Sequence, residues 1–105
     1  MEYDTGRDRS PTRIASLLAY RTDSVDEFGA WLEQRAERLR EIADVRDLEV
    51  VVTRNPPRAG IVTYFDTGEA YERYCHERLA EVRQSIEGSS WLVEGPLRQV
   101  LEREP

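Results

Sequence analysis

Three segments of this chain carry hydrocarbon on both sides of an extended backbone, and that constrains the fold more than any other feature. Successive side chains of a strand point to opposite faces. In Arg13–Tyr20, Ile14, Leu18 and Tyr20 fall on one face and Ala15, Leu17 and Ala19 on the other. Leu48–Thr53 sets Leu48, Val50 and Val52 against Val51, and Ile61–Phe65 sets Ile61 and Phe65 against Val62 and Tyr64. A sheet with helices on one face only should alternate apolar with polar residues. These strands do not, so the second face also needs a cover.

The intervening segments have helical spacing. Ser24-Val25-Asp26-Glu27 has the form of a capping box, with the Ser24 hydroxyl accepting from the Glu27 amide and the Glu27 side chain reaching back. Phe28, Leu32, Leu39 and Ala43 then predict a helix over residues 25–43. Asn55–Gly60 reads as a connection, since two prolines remove ladder donors and Gly60 permits a positive φ. Asp66-Thr67 caps a second helix, in which Tyr71, Cys75, Leu79, Val82 and Ile86 form one apolar stripe that stops at Gly88. Trp91-Leu92-Val93 opens a fourth strand, bent at Gly95-Pro96 and continued by Leu97–Leu101. The order is β-α-β-β-α-β. It predicts an α+β, ferredoxin-like fold: a four-stranded antiparallel sheet with two helices on one face.

At 105 residues there is room for one domain, here residues 13–105, preceded by a polar, turn-prone arm over residues 1–12 that we expect to be flexible. The net charge of −6 argues against nucleic acid and anionic membrane surfaces as partners. No apolar run approaches the roughly 20 residues that span a bilayer, and the N-terminus lacks a signal-peptide core. The expected location is the cytoplasm. A lone cysteine and a lone histidine give no transition-metal ligand set, so no metal is expected. No glycine-rich phosphate loop and no serine-hydrolase elbow is present. Every basic side chain is arginine, which fits a GC-rich genome better than a functional demand.

A bare apolar sheet face would exceed the few hundred Å² that soluble monomers usually expose. Two copies face to face about a two-fold axis remove it from water, and the expected partner is therefore a second copy of the chain. The alternative is a monomer whose arm and tail cover that face.

The element order, the length and the stretch Ile61-Val62-Thr63-Tyr64-Phe65-Asp66-Thr67-Gly68-Glu69-Ala70-Tyr71-Glu72-Arg73-Tyr74 resemble the dimeric α/β-barrel superfamily. That superfamily includes antibiotic-biosynthesis monooxygenases, stress-responsive A/B-barrel proteins, polyketide cyclases and haem-degrading oxygenases. The resemblance covers residues 13–101 and implies a dimeric barrel with a pocket for an aromatic ligand. Two departures narrow what it implies. Cys75-His76-Glu77-Arg78 stands where olivetolic-acid-type cyclases carry His-Pro-x-His, so one histidine replaces a pair. The haem-degrading branch uses an Asn on the first strand, a Trp on the second helix and a late His. Here the first strand has no Asn, Tyr74 stands near the Trp position and no late His exists.

The candidate catalytic residues are His76, Arg35 and Tyr71. His76 has the only side chain that ordinarily titrates near neutrality; helical spacing sets it at the flank of the buried stripe, where pairing with Glu72 is the plainer explanation. Arg35 falls between Phe28, Leu32, Leu39 and Ile42, where a guanidinium needs a partner. It would hold an enolate-like anion or snorkel to the mouth of the core. Tyr71 is a second proton-moving candidate. Tyr20, Tyr64, Tyr74, Trp31 and Trp91 are the candidate substrate-binding residues; Tyr20, Tyr64, Tyr71, Tyr74 and Trp91 are expected to line a cavity between sheet and helices, with ordinary core and interface packing as the alternative. Asn55 reads as a turn residue, and Glu49 and Asp66 as solvated edge residues able to orient an arginine.

Together these point to a cofactor-independent biosynthetic enzyme. It would act on an aromatic or polyketide-like intermediate by acid/base chemistry: cyclisation, isomerisation or oxygenation. The alternative is a non-catalytic dimeric module that binds a ligand or a protein partner.

Overall fold

A computed structural model describes residues 14–102, and the arm expected over residues 1–12 lies outside them. Four strands, β1 (Ile14–Thr22), β2 (Asp47–Arg54), β3 (Pro57–Phe65) and β4 (Leu92–Glu102), form one antiparallel sheet in the order β2-β3-β1-β4. Helices α1 (Val25–Leu39), α2 (Gly68–Glu77) and α3 (Leu79–Glu87) cover one side. This is the expected ferredoxin-like α+β fold.

The side facing the helices holds the core. Ile14, Leu18 and Tyr20 of β1, Leu48 of β2, and Ile61 and Phe65 of β3 are buried there with Phe28, Leu32, Tyr74, Val82 and Ile86 of the helices. Residues paired across an antiparallel ladder share a face. The register therefore lays out the opposite side: Ala15 beside Tyr64 and Leu101, Leu17 beside Val62 and Gln99, and Ala19 beside Gly60 and Leu97. Asp47, Glu49 and Val51 continue that face on β2. Its middle is hydrocarbon, and no element among the described residues covers it. Leu97 is 37% exposed and Leu101 73%. The two-faced sheet inferred from the strands is thus present.

Several local expectations are corrected. Pro57–Gly60 belongs to β3, and only Asn55 and Pro56 connect Arg54 to Pro57. Pro57 is the first residue of that strand, a position where a missing ladder donor is tolerated. Gly60 needs no positive φ; its role is close approach, since a Cβ there would stand 2.1 Å from the Leu18 carbonyl oxygen. Ser24 caps α1 without a side-chain bond. Its backbone N–H is already given to Thr22 Oγ1 at 3.0 Å, so Glu27 has nothing to reach back to. Helix α1 ends at Leu39 rather than residue 43, because Glu41, Ile42 and Val45 bond three residues back and tighten the chain into turns.

The second helix is two. Ala70 and Tyr74 are the buried residues of α2, and Val82 and Ile86 those of α3. In one unbroken helix Val82 would lie about 80° round the axis from Tyr74 at 3.6 residues per turn. The break at Arg78 (φ −128°, ψ −26°) returns Val82 and Ile86 to the sheet. The Thr67 cap is as expected, its hydroxyl accepting from the Ala70 amide at 3.0 Å.

Candidate functional site

Tyr71 and Cys75 lie one turn apart on α2, on the side that looks toward β4. Arg98 sits opposite Leu18 in the register, so it projects from the helix side of β4. Its guanidinium donates to Tyr71 Oη at 2.9 Å and lies 3.9 Å from Cys75 Sγ. Phe65 presents itself edge-on to Tyr71, with ring centroids 5.3 Å apart, and packs against Tyr74 at 4.9 Å. Burial raises the Tyr71 pKa, the Cys75 thiol adds to the rise, and Arg98 opposes it. Tyr74 is more deeply set, and burial pushes it up to about 12. The result is a neutral phenol whose oxygen accepts from Arg98. If its proton leaves, the adjacent guanidinium stabilises the phenolate.

A second grouping lies on α1. Trp31 stacks on Phe28 at 6.0 Å and meets Trp91 edge-on at 5.8 Å. The Arg35 guanidinium lies 3.9 Å over the Trp31 ring, a cation–π contact. Its Nε is buried without a hydrogen-bond partner. Arg35 also lines a groove of about 400 Å³ between the end of α1 and the start of α3, together with Arg38, Ile42, Arg78, Glu81 and Val82.

The remaining candidates are dispersed. Tyr20 is buried and donates to Glu87 Oε2 at 2.6 Å, while Arg83 Nε donates to the same carboxylate at 2.9 Å. Tyr64 is corrected to the other side of the sheet: it faces away from the helices and donates to Glu49 Oε1 at 2.9 Å. Alternation along β3 requires this, because Phe65 faces the core. His76 is corrected from the flank of the buried stripe to the exposed outer surface of α2, beside Glu69, Glu72, Arg73 and Glu77. Asp66 does orient an arginine, accepting from Arg46. The structure thus joins Trp31, Trp91 and Arg35, and sets Tyr71 near Tyr74. It does not bring His76, Arg35 and Tyr71 to one point.

Arg98 and Glu87 were missed. The signal for Arg98 was a lone cation in the apolar run Leu97–Leu101, but its face depends on how β4 registers against β1.

The Tyr20–Glu87 bond yields a stability prediction. Burial, then the Glu87 carboxylate, holds the Tyr20 phenol neutral well above its ordinary pKa of 10. The folded state therefore keeps this proton at pH values where the unfolded chain releases it. The contribution is complete below about pH 10 and is lost as pH rises through the folded value. Tyr20→Phe should cost about 1.5–3 kcal/mol at neutral pH, the range for a hydrogen bond to a charged group. It should also flatten the alkaline decline, read by urea denaturation at a series of pH values. An unchanged alkaline slope would show that this phenol is not the controlling group.

No family model matches the chain, and no curated protein does. Solved structures do. A monooxygenase from the ActVA-Orf6 gene of Streptomyces coelicolor, in complex with nanaomycin D, superposes with a TM-score of 0.68 at 13% identity, over 90% of this chain and 89% of that one. A haem degrader, MhuD from Mycobacterium tuberculosis, with two haems bound in its active site, gives 0.65 at 12% identity over 85% and 93%. A Bordetella bronchiseptica protein assigned to the antibiotic biosynthesis monooxygenases gives 0.64 at 12% over 90% and 100%. At these identities the likeness shows the fold alone: a ferredoxin-like α+β fold of the kind found in antibiotic biosynthesis monooxygenases.

Proposed function

We propose that this chain is a small-molecule biosynthetic enzyme acting without a cofactor on an aromatic or polyketide-like intermediate. The chemistry is proton transfer that drives cyclisation, isomerisation or oxygenation. The observation that carries this reading is the Tyr71–Arg98 pair: a neutral phenol, walled by Phe65 and poised against a guanidinium. Such a pair hands a proton to a substrate carbonyl and stabilises the phenolate left behind. The half-buried Tyr71 ring, backed by Phe65 and Tyr74 of the core, suits a flat ligand. Neighbours of the same fold support a small-molecule role, since one holds nanaomycin D and another degrades haem. In this reading Trp31, Trp91 and Arg35 contribute a separate anion-holding surface on the helix layer. Tyr20 supports the fold, and Tyr64 contributes to the open face.

The working unit is a homodimer, in which a second copy covers the Leu17, Val62, Leu97 and Leu101 face. We place it in the cytoplasm; no described helix is long and apolar enough to cross a membrane.

An anthrone tests the reading, because its carbonyl enolises between two aromatic rings. Incubated under air and followed by absorbance, it should be converted by the full chain. Tyr71→Phe and Arg98→Met should each slow that conversion by about 100-fold, the lower end of what a positioned acid or base supplies. Equal rates for all three proteins would remove the proposed acid/base pair. His76→Gln decides whether the lone imidazole takes part, since a large fall would move the proton transfer to it. Binding of the probe without conversion would favour the non-catalytic ligand-binding module, to which the exposure of His76 already lends weight.

A further inference from the structure

We propose that the groove between the end of α1 and the start of α3 binds a small amphiphilic carboxylate, an organic acid with an apolar body. Its walls carry three guanidinium groups, from Arg35, Arg38 and Arg78. Glu41 and Glu81 oppose them, and Glu81 is already engaged by Arg78 at 3.1 Å. The lining is left with one positive charge in a chain whose net charge is −6. One positive charge matches a carboxylate better than a phosphate dianion. Leu39, Ile42 and Val82 supply hydrocarbon beside the charges, which selects against a bare inorganic anion. The volume of about 400 Å³ falls within the span of small-molecule sites.

Arg35 gives the groove its polarity. Trp31 backs its guanidinium at 3.9 Å, which holds the plane still. Among the described residues Arg35 and Arg38 enter no ion pair, and the Arg35 Nε is buried without a partner. A buried guanidinium N–H left without an acceptor is costly until one meets it. The helix break at Arg78 completes the groove, turning α3 so that Arg78, Glu81 and Val82 face the end of α1.

This inference rests on the reading of Arg35 as an anion-holding residue, and it does not require turnover at Tyr71. Titration calorimetry of the full chain with 1-naphthoate tests it, with 1-naphthamide as the uncharged counterpart and inorganic phosphate as the bare anion. Naphthoate should bind, and naphthamide should bind at least about tenfold more weakly, as expected when one charge-assisted contact is lost. Phosphate should give no saturable heat. Arg35→Met should weaken naphthoate binding by about tenfold or more. Arg38→Gln, at an exposed position where folding is not at risk, should weaken it in the same direction. Absence of naphthoate binding would overturn the proposal. So would equal affinity for naphthamide, phosphate binding as tight as naphthoate, or an affinity that Arg38→Gln leaves unchanged. If naphthoate binds while anthrone is not converted, the groove stands and the catalytic reading fails.

Discussion

Gly60→Ala is expected to leave the chain unfolded, or to cost it about 4 kcal/mol or more, a loss few single substitutions reach. The added Cβ would lie 2.1 Å from the Leu18 carbonyl oxygen, 2.5 Å from Ala19 Cα and 2.8 Å from Ala19 Cβ. Two of those three atoms are backbone, so no rotamer change relieves the clash. β1 and β3 are the central strands, and they pair through Ala19 and Gly60. Opening that pair separates the two halves of the sheet and unseats Leu18 and Ile61, both buried in the core. Far-UV circular dichroism and urea denaturation measure the effect. A midpoint shift worth under about 0.5 kcal/mol, the size of an ordinary surface change, would show that the strands can separate here at little cost.

The second large effect is on assembly. Leu17 sits at the centre of the open face, between Val62 and Gln99. In a lone protomer Leu17→Asp places a carboxylate on a half-buried surface that water still reaches, and folding should survive. Between two copies the same carboxylate is buried without a partner, at a cost of about 3–5 kcal/mol, the range for an uncompensated buried charge. Asp47 and Glu49 on that face repel it further. The dimer dissociation constant should rise by about 100-fold or more, at 1.4 kcal/mol per factor of ten. Sedimentation velocity over a dilution series reads the shift. A variant that assembles as the parent does would place the contact elsewhere.

The contrast between these sites shows what a sequence makes legible. Strand faces were readable because alternation is local: Ile14, Leu18 and Tyr20 had to oppose Ala15, Leu17 and Ala19, and they do. The same rule set Tyr64 opposite Phe65, so its absence from the helix-side cavity follows from β3 alone. The break at Arg78 was hidden, because Tyr71, Cys75, Leu79, Val82 and Ile86 satisfy helical spacing without it. Only the demand that Tyr74 and Val82 face one sheet exposes it. The reason for Gly60 was equally hidden, since a close approach of strands depends on a partner 41 positions away in the ladder with Ala19. Arg98 and Tyr71 meet across 27 residues, and no local pattern announces such a pair. Arg35 stood out as a cation among apolar residues; in the fold its guanidinium lies over Trp31 and its Nε is buried without a partner.

Assembly, and the setting proposed for the site, depend on hydrocarbon left bare on the sheet's open side. The most direct measurement is the solution mass of the full chain by sedimentation equilibrium across the micromolar range. The expected mass is about 24 kDa, two chains of 12.2 kDa each. A mass of one chain at every dilution would contradict it.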